Sequence, residues 1–246
     1  MTDPRARSFG AAADDYERGR PEWPERVVEA AALPADAEVL DLAAGTGKLT
    51  RLLARRFARV VAIEPDDAMR ALIPDAETLA GTAEAIPLAD GSVDGVFCAE
   101  AFHWFDAPRA VAEIARVLRP GGSLVVCFHE PPAREESPWP EEAREVIRRR
   151  RRPGRPLGGR HLVEEGRWRE AVADAPFEPL RFERAEHDHV QDTEGEIAHM
   201  LSISGFALLP AEEREALREE LRAVLPRQTW RTPLRAEIWW TRRLAG

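Results

Sequence analysis

Two acids and two glycines near the start of the chain have the types and spacing of a nucleotide-type cofactor site. Asp41 lies in the apolar stretch VLDL, and Gly45 and Gly47 follow in a turn of small residues before an amphipathic pattern begins. Glycine permits positive φ and close approach of a ligand, and the following helix start offers unpaired N–H groups. Glu64 ends the next apolar run, where an acid can accept from both hydroxyls of a ribose. The alternative for Glu64 is a solvated carboxylate at a strand end.

The spacing of the turn separates two cofactor classes. A dinucleotide-binding turn reads G-x-G-x-x-G, but Thr50 occupies the position of the third glycine, and Asp41 lies inside the strand end. The stretch VLDLAAGTGKLT resembles the first motif of the class I S-adenosylmethionine-dependent methyltransferases. The resemblance implies S-adenosylmethionine as cofactor, S-adenosylhomocysteine as product, and these cofactor-binding residues within the sheet domain: Asp41, Ala43, Gly45, Gly47, Glu64, Met69, Ala83, Glu84 and Ala99.

The leader SFGAAADDYERGRPEWP also resembles this family. Its spacing of Phe9, Tyr16, Arg20 and Pro21 is similar to a leader that folds over the cofactor in many small-molecule methyltransferases. The resemblance implies that Arg20 pairs with the methionine carboxylate, that Tyr16 borders the sulfonium and that Phe9 belongs to the substrate pocket. The alternative is a frayed, solvated leader.

The stretch TAEAIPLADGSVDGVFCAEAFHWFD is similar to the adenine-binding loop and fourth strand of the same family. The resemblance implies that the Ala83 amide faces an adenine nitrogen and that Glu84 accepts from the exocyclic amine. It also implies that Asp66 or Met69 packs beside the adenine, although a lone methionine is more often a core residue.

His103 is the leading candidate for orienting or deprotonating the nucleophile, because it follows the fourth strand at the ligand edge of the sheet. The alternative is a packed, hydrogen-bonded histidine. The predicted pocket walls are Phe102 and Trp104, together with Ser202 and Ser204 of the stretch LSISGF, which resembles the trans-aconitate-methyltransferase-like branch.

Alternating apolar runs and amphipathic stretches predict an α/β fold. Five strands alternate with helices as far as residue 130, which is typical of a doubly wound, Rossmann-like, mostly parallel sheet with helices on both faces. A sixth strand is predicted over residues 178–190. The seventh, over 234–243, should insert antiparallel between the fifth and sixth, as the resemblance implies.

The second half of the chain is irregular. Residues 131–160 contain many prolines and the run Arg148 to Arg152, which we interpret as a solvated helix end or as a basic rim that attracts an anionic substrate. Helices are predicted over 140–150, 161–175 and 195–225. His187 and His189 share one strand face, but a suitable third ligand is missing, so no metal site is predicted.

Composition bounds the class of protein. The 246 residues are 44% hydrophobic and 32% charged, with no long apolar run, which predicts a cytoplasmic globular protein without membrane association. The net charge of −9 disfavours nucleic acid as a partner. Cys98 and Cys127 lie in apolar runs and are expected to be core residues. We expect one domain over 1–246, a monomer or homodimer, with a lid and helix (1–34), a cofactor core (35–130) and a substrate-side region (131–246).

The predicted function is methyl transfer to a small-molecule carboxylate, hydroxyl or amine by in-line displacement. Two alternatives stay open. One is a nicotinamide-dependent oxidoreductase, which the missing third glycine disfavours. The other is a non-catalytic S-adenosylmethionine-binding regulatory protein, because no catalytic base is certain from the sequence.

Overall fold

A seven-stranded mixed sheet forms the centre of the computed structural model, which describes residues 9–74, 76–130, 139–150 and 167–245. The strand order is β3-β2-β1-β4-β5-β7-β6. The strands are β1 (Glu38–Leu42), β2 (Arg59–Ile63), β3 (Glu77–Leu79), β4 (Val93–Ala99), β5 (Leu118–Glu130), β6 (Arg181–Asp192) and β7 (Thr229–Arg242).

The direction in which strands are added changes between β1 and β4. Strands β1 to β5 pair in parallel, with β2 and β3 on one side of β1 and β4 and β5 on the other. Ligands of doubly wound sheets bind outside the carboxyl ends of the strands at such a switch point. Strand β7 is antiparallel to both β5 and β6 and lies between them. The predicted fold class and the predicted insertion of the last strand are therefore confirmed.

Strands β5 and β7 are longer than the sequence patterns predicted. Strand β5 starts at Leu118, which pairs with Val93 before the register shifts ahead of Gly95. Strand β7 starts at Thr229, because its first residues pair with the end of β6 beyond the last residue of β5. The paired ends of β6 and β7 therefore extend past the carboxyl edge of the parallel strands.

Helices cover both faces of the sheet. The helices are α1 (Ala13–Gly19), α2 (Arg26–Glu29), α3 (Lys48–Arg56), α4 (Asp67–Arg70), α5 (Ala107–Val117), α6 (Glu141–Arg150), α7 (Arg167–Ala173), α8 (Thr193–Leu201), α9 (Ser204–Ala207) and α10 (Ala211–Val224). Short 3-10 helices form at Phe9–Ala12 and Phe102–Trp104.

Several helix boundaries differ from the predictions. The helix expected to run to Ala32 is a single turn, α2, and Ala32 itself has a positive φ of 48°. The predicted helix over 161–175 is described only from Arg167, where it contains the buried Trp168, as expected. Residues 161–166 lie outside the described residues, as do Arg151 and Arg152 of the arginine run.

Three apolar clusters stabilise these layers. One lies on the α5 and α7 face of the sheet, around Ile114 and Trp168, and a second lies on the α2 and α3 face, around Leu53. The third joins α6, α8 and α10 through the buried Trp230 and gives the substrate-side region its own core. Cys98 and Cys127 are free thiols buried in the sheet, which confirms their predicted packing role.

Within the part of the chain described, no helix combines the length and the apolar character that crossing a membrane requires.

Candidate functional site

Strained backbone concentrates at the carboxyl ends of β1 and β4, on the two sides of the switch point. Ala43, Gly45 and Gly47 after β1 have φ of 59°, 60° and 85°, and Glu100 after β4 has φ of 54°. Non-glycine residues in this region cost about 1–3 kcal/mol each and persist where the surroundings require them, often at ligand sites. The crevice between these two strand ends is therefore the candidate functional site.

The two glycines of the turn have different surroundings. A side chain added at Gly45 would meet a single neighbour, Tyr16 Cε1 at 3.8 Å, so the turn faces open space beneath Tyr16. A side chain at Gly47 would instead lie 3.1 Å from Ile73 Cγ2 and 3.3 Å from Pro74 Cδ. Both positions favour glycine for positive φ, but only Gly45 has open space beside its backbone.

Glu64 holds the turn against the end of β2. Its Oε2 accepts from the Gly45 N–H at 2.9 Å, and its Oε1 accepts from the Asp66 N–H at 2.9 Å. The residue is only 6% exposed, and burial raises the pKa of its carboxyl group. Each carboxylate oxygen has a second lone pair, so Glu64 retains capacity to accept from a ligand hydroxyl.

Asp41 is a second buried acid below the turn. Its Oδ2 accepts from the Thr50 hydroxyl at 2.6 Å. Burial, reinforced by the charge of Glu64, raises the pKa of Asp41 to about 7. The position occupied by Thr50 instead of a third glycine therefore has a structural use, because its hydroxyl orients the acid of the motif.

Glu100 is a third acid, to which the sequence analysis assigned no role in the site. Its Oε1 accepts from the backbone N–H of His129 at 2.6 Å and lies 3.4 Å from His129 Nδ1. Burial alone would raise the pKa of Glu100, but the hydrogen bonds and charge of His129 hold it at about 2. His129 Nε2 continues to His187 Nε2 at 3.3 Å. The sequence did contain a signal for Glu100 as a site residue, because an acid directly follows the predicted fourth strand.

Residues 9–23 of the leader are folded against the crevice, and we call this segment the lid. A side chain at Gly10 would lie 2.5 Å from Asp66 Oδ1, so the lid begins against the end of β2. Glu22 accepts from Lys48 Nζ at 2.7 Å, and Glu17 lies 2.9 Å from Arg51 Nη2. These contacts contradict the alternative of a frayed leader.

Tyr16 of the lid shares the crevice with the three acids. Burial raises the pKa of its phenol, Arg20 lowers it, and the charges of Glu100, Glu64 and Asp41 raise it further. Three carboxyl groups therefore act on one space below the lid.

Arg20 is a cation whose charge acts on both Tyr16 and Glu100. Its Nη2 donates to the Ser202 carbonyl at 3.1 Å, its guanidinium lies 5.1 Å from the Tyr16 ring centre, and its Nε is buried without a hydrogen-bond partner. Within the described ranges Arg20 forms no ion pair with a carboxylate. A buried donor in this state has capacity for an anionic group of a ligand.

The predicted adenine side is less open. Glu84 accepts from the Asp106 N–H through Oε1 at 3.0 Å, while its Oε2 is buried without a hydrogen-bond partner. Ala83 and Met69 are buried, and Ala99 is half-buried at the end of β4. Asp66 caps α4 by accepting from the Ala68 and Met69 amides, so its carboxylate is already engaged.

The predicted substrate-side residues separate into three environments. His103 and Trp104 are half-buried after β4, with ring centres 4.6 Å apart, and His103 lies 6.0 Å from Phe128. Phe102 lies in the apolar core, 5.3 Å from Trp168 between ring centres. Ser202 is buried, and its hydroxyl donates to the His199 carbonyl at 2.7 Å. The side chains of Phe9 and Ser204 lie outside what the structure describes.

The donor set fits S-adenosylmethionine better than a dinucleotide. That cofactor carries a sulfonium, an ammonium and a carboxylate, which suit three acids and one unpaired arginine. A pyrophosphate would face the same three acids at close range. In the described residues, no group of histidine, cysteine and acidic side chains has the arrangement of a metal site.

The fold and the crevice define an α/β protein with a nucleotide-type cofactor site at its switch point. A family model for a methyltransferase domain matches residues 40–126. An uncharacterized methyltransferase of Mycobacterium tuberculosis (strain ATCC 25618 / H37Rv) is 38% identical over 222 residues, which cover 89% of this chain and 85% of that protein. An uncharacterized methyltransferase-like protein of Schizosaccharomyces pombe is 32% identical over 225 residues, covering 87% and 84%.

A solved structure shares the fold of this chain. A candidate type II methyltransferase from Anaeromyxobacter dehalogenans superposes with a TM-score of 0.63 at 24% identity, covering 92% of this chain and 99% of that one. The chain therefore belongs to the class I S-adenosylmethionine-dependent methyltransferase family and is a methyltransferase enzyme.

Proposed function

We propose that this protein transfers a methyl group from S-adenosylmethionine to a small-molecule carboxylate, hydroxyl or amine. The observation that carries the proposal is the charge pattern of the crevice. Asp41, Glu64 and Glu100 all act on Tyr16, whereas Arg20 has no carboxylate partner among the described residues. This pattern complements a ligand with two positive groups and one carboxylate.

Each end of the cofactor has candidate partners. Glu64 would accept from the ribose hydroxyls, the Gly45 turn would lie against the ligand, and Arg20 would bind the methionine carboxylate. The spare acceptor of Glu84 and the amide of Ala83 would serve the adenine. Tyr16 would cover the sulfonium, because its ring lies over the turn.

The chemistry requires alignment more than acid–base assistance. The leaving group of a sulfonium is neutral and already activated, so positioning the acceptor in line supplies most of the rate. A docked lid would exclude water and would restrict the acceptor to what fits between it and the substrate-side helices, which supports a small molecule. His103 would accept a proton from a neutral acceptor.

Binding measurements test the cofactor. Calorimetry should show binding of S-adenosylhomocysteine and none of NADH, because the pyrophosphate would meet three carboxyl groups. Binding of NADH alone would support the oxidoreductase alternative and refute the proposal.

Turnover tests the enzyme against a regulatory binding protein. The purified protein is incubated with S-adenosylmethionine and fractions of a small-metabolite extract, and S-adenosylhomocysteine is quantified. Product above the level without extract is expected from at least one fraction. Tight cofactor binding without product from any fraction would favour the regulatory alternative.

The trans-aconitate-like branch and the cytoplasmic location stay predictions.

A further inference from the structure

The end of α1 meets the substrate-side region through two histidines, one from β6 and one from α8. His189 Nε2 and His199 Nδ1 each lie 3.0 Å from the carbonyl oxygen of Gly19. A carbonyl only accepts, so both ring nitrogens must carry their protons. We call this three-residue contact the histidine clasp. It joins segments that are about 170 or more residues apart in sequence.

Gly19 allows this contact because it has no side chain. A Cβ at this position would overlap the backbone amide nitrogen of His199, so α1 and α8 approach each other backbone to backbone. The backbone at Gly19 is not in the left-handed region, so glycine serves close approach rather than an unusual φ.

The clasp lies next to the cofactor-facing side chains of the lid. Arg20 follows Gly19 directly and donates to the Ser202 carbonyl, one residue beyond the end of α8. Tyr16 lies one helical turn earlier, over Gly45, and its carbonyl accepts from the Arg20 N–H at 3.0 Å. Fixing the Gly19 carbonyl therefore fixes the helix end that carries both side chains.

We propose that His189 and His199 are positioning residues, which set Arg20 and Tyr16 over the cofactor crevice by holding the Gly19 carbonyl. The proposal rests on the proposed function for its ligand. It assigns the substrate-side region a part in cofactor binding, because the lid reaches its closed position only when β6 and α8 supply these donors.

The charge state of the clasp supports this role. Burial, followed by the charge of Arg20, lowers the pKa of His199 to about 3, and burial also lowers the pKa of His189. The groups that act on the two rings from neighbouring elements are Arg20 of the lid, Lys48 of α3, His129 of β5 and Glu196 of α8. Both rings are therefore neutral donors at pH 7 while the lid is docked.

The pH dependence follows from these lowered pKa values. The docked lid is fully stabilised above the ordinary histidine pKa of about 6.5, because the rings are neutral whether or not it is docked. Below that pH the undocked histidines gain protons that the docked ones exclude. Docking weakens by up to about tenfold per pH unit for each histidine.

The experiment compares variants at His199 by calorimetry with S-adenosylhomocysteine at pH 7.5. His199→Leu removes the donor and should raise Kd about tenfold, whereas His199→Asn places an amide N–H near the position of Nδ1 and should stay within about threefold. The matched control is Arg18→Gln, which removes an exposed ion pair between the lid and Asp192 and should change Kd less than about threefold.

Two further readouts separate positioning from a general loss of stability. Trypsin cleavage within the lid, measured without ligand, should accelerate in His199→Leu and in Gly19→Ala but not in His199→Asn. Between pH 7.5 and 5.5, Kd should rise more steeply for the wild type than for His199→Asn. The difference between these slopes isolates His199 from other titrating groups in the crevice.

The outcomes distinguish the two proposals. A wild type that does not bind S-adenosylhomocysteine would overturn the proposed function, while the trypsin rates would still test the clasp. Normal binding with unchanged Kd and trypsin rates in His199→Leu and Gly19→Ala would overturn the positioning role. Loss of thermal stability alone, with unchanged Kd, would overturn it as well.

Discussion

Glu64 has a structural role and a proposed role in cofactor binding, and replacing it tests both. Its carboxylate accepts from the Gly45 and Asp66 amides, and it is also the proposed acceptor for the ribose hydroxyls. Glu64→Ala should therefore weaken both the fold and the cofactor site. The sequence alone predicted only the second effect.

The size of the stability loss follows from the two amides. A buried N–H without a partner costs about 1–3 kcal/mol, so two orphaned amides could cost about 2–6 kcal/mol. The loss should fall near the lower end, about 2 kcal/mol, because the opened site admits water. Burial raises the pKa of Glu64, which means that the folded protein carries a desolvation penalty for this acid. The substitution removes that penalty, and this offsets a further part of the stability loss.

The loss of affinity is a second effect, separate from the loss of stability. Hydrogen bonds to a charged acceptor contribute about 1.5–3 kcal/mol each, so the Kd for S-adenosylhomocysteine should rise at least tenfold. Urea unfolding measures the loss of stability. Calorimetry measures the loss of affinity, at a temperature below the unfolding midpoint of the variant.

A matched control lies at the opposite edge of the sheet. Asp94 accepts from the Glu38 N–H at 2.9 Å and pairs with Arg119, far along the strands from the crevice. Asp94→Ala should lower stability and leave Kd unchanged. If Glu64→Ala changes Kd by less than twofold, Glu64 is a structural acid and its assignment to the ribose is wrong.

Three further predictions concern the turn, the candidate base and the buried acid. Gly45→Val should abolish S-adenosylhomocysteine binding, whereas Gly91→Val, which carries a similar φ of 56° in open space, should reduce stability in urea without changing Kd. His103→Gln should lower turnover about 100-fold at unchanged cofactor affinity and remove the acidic limb of the pH–rate profile; a flat wild-type profile from about pH 5.5 to 8 would contradict a base. The pKa of Asp41 is raised to about 7, so its contribution favours folding below its unfolded pKa near 4 and is lost as pH rises through 7. Asp41→Asn should accordingly be more stable than the wild type at pH 8, by up to about 4 kcal/mol at about 1.4 kcal/mol per pKa unit, and equal stability there in urea unfolding would contradict the buried assignment.

Local patterns in the sequence determined the strands of the sheet, the glycine turn after β1 and the position of Glu64. Apolar runs set the strands, and the glycine turn after β1 adopts the predicted positive φ. Glu64 lies at the end of β2, as predicted, because strand ends are marked by the nearby change from apolar to polar residues. These features depend on neighbours within a few positions, which the sequence shows directly.

Contacts between residues far apart in the sequence could be identified only from the tertiary structure. Phe102 was predicted to line a pocket, and the structure packs its side chain in the apolar core beside Trp168. The surroundings of Gly47 depend on where the chain returns at Ile73 and Pro74. Neither outcome follows from residue type or spacing, because each depends on a loop that is free to turn several ways.

The partners of His187 and His189 show most clearly the difference between what the sequence determined and what the tertiary structure decided. His187 and His189 were considered as metal ligands from their spacing on one strand, yet His187 contacts His129 and His189 holds the Gly19 carbonyl of the lid. The insertion of β7 between β5 and β6 carries β6 past the carboxyl edge of the sheet and brings these residues to the crevice. The sequence by itself determined which residues could donate and accept. Only the long-range strand pairing decided which of them meet, because that pairing depends on packing across the whole sheet rather than on local periodicity.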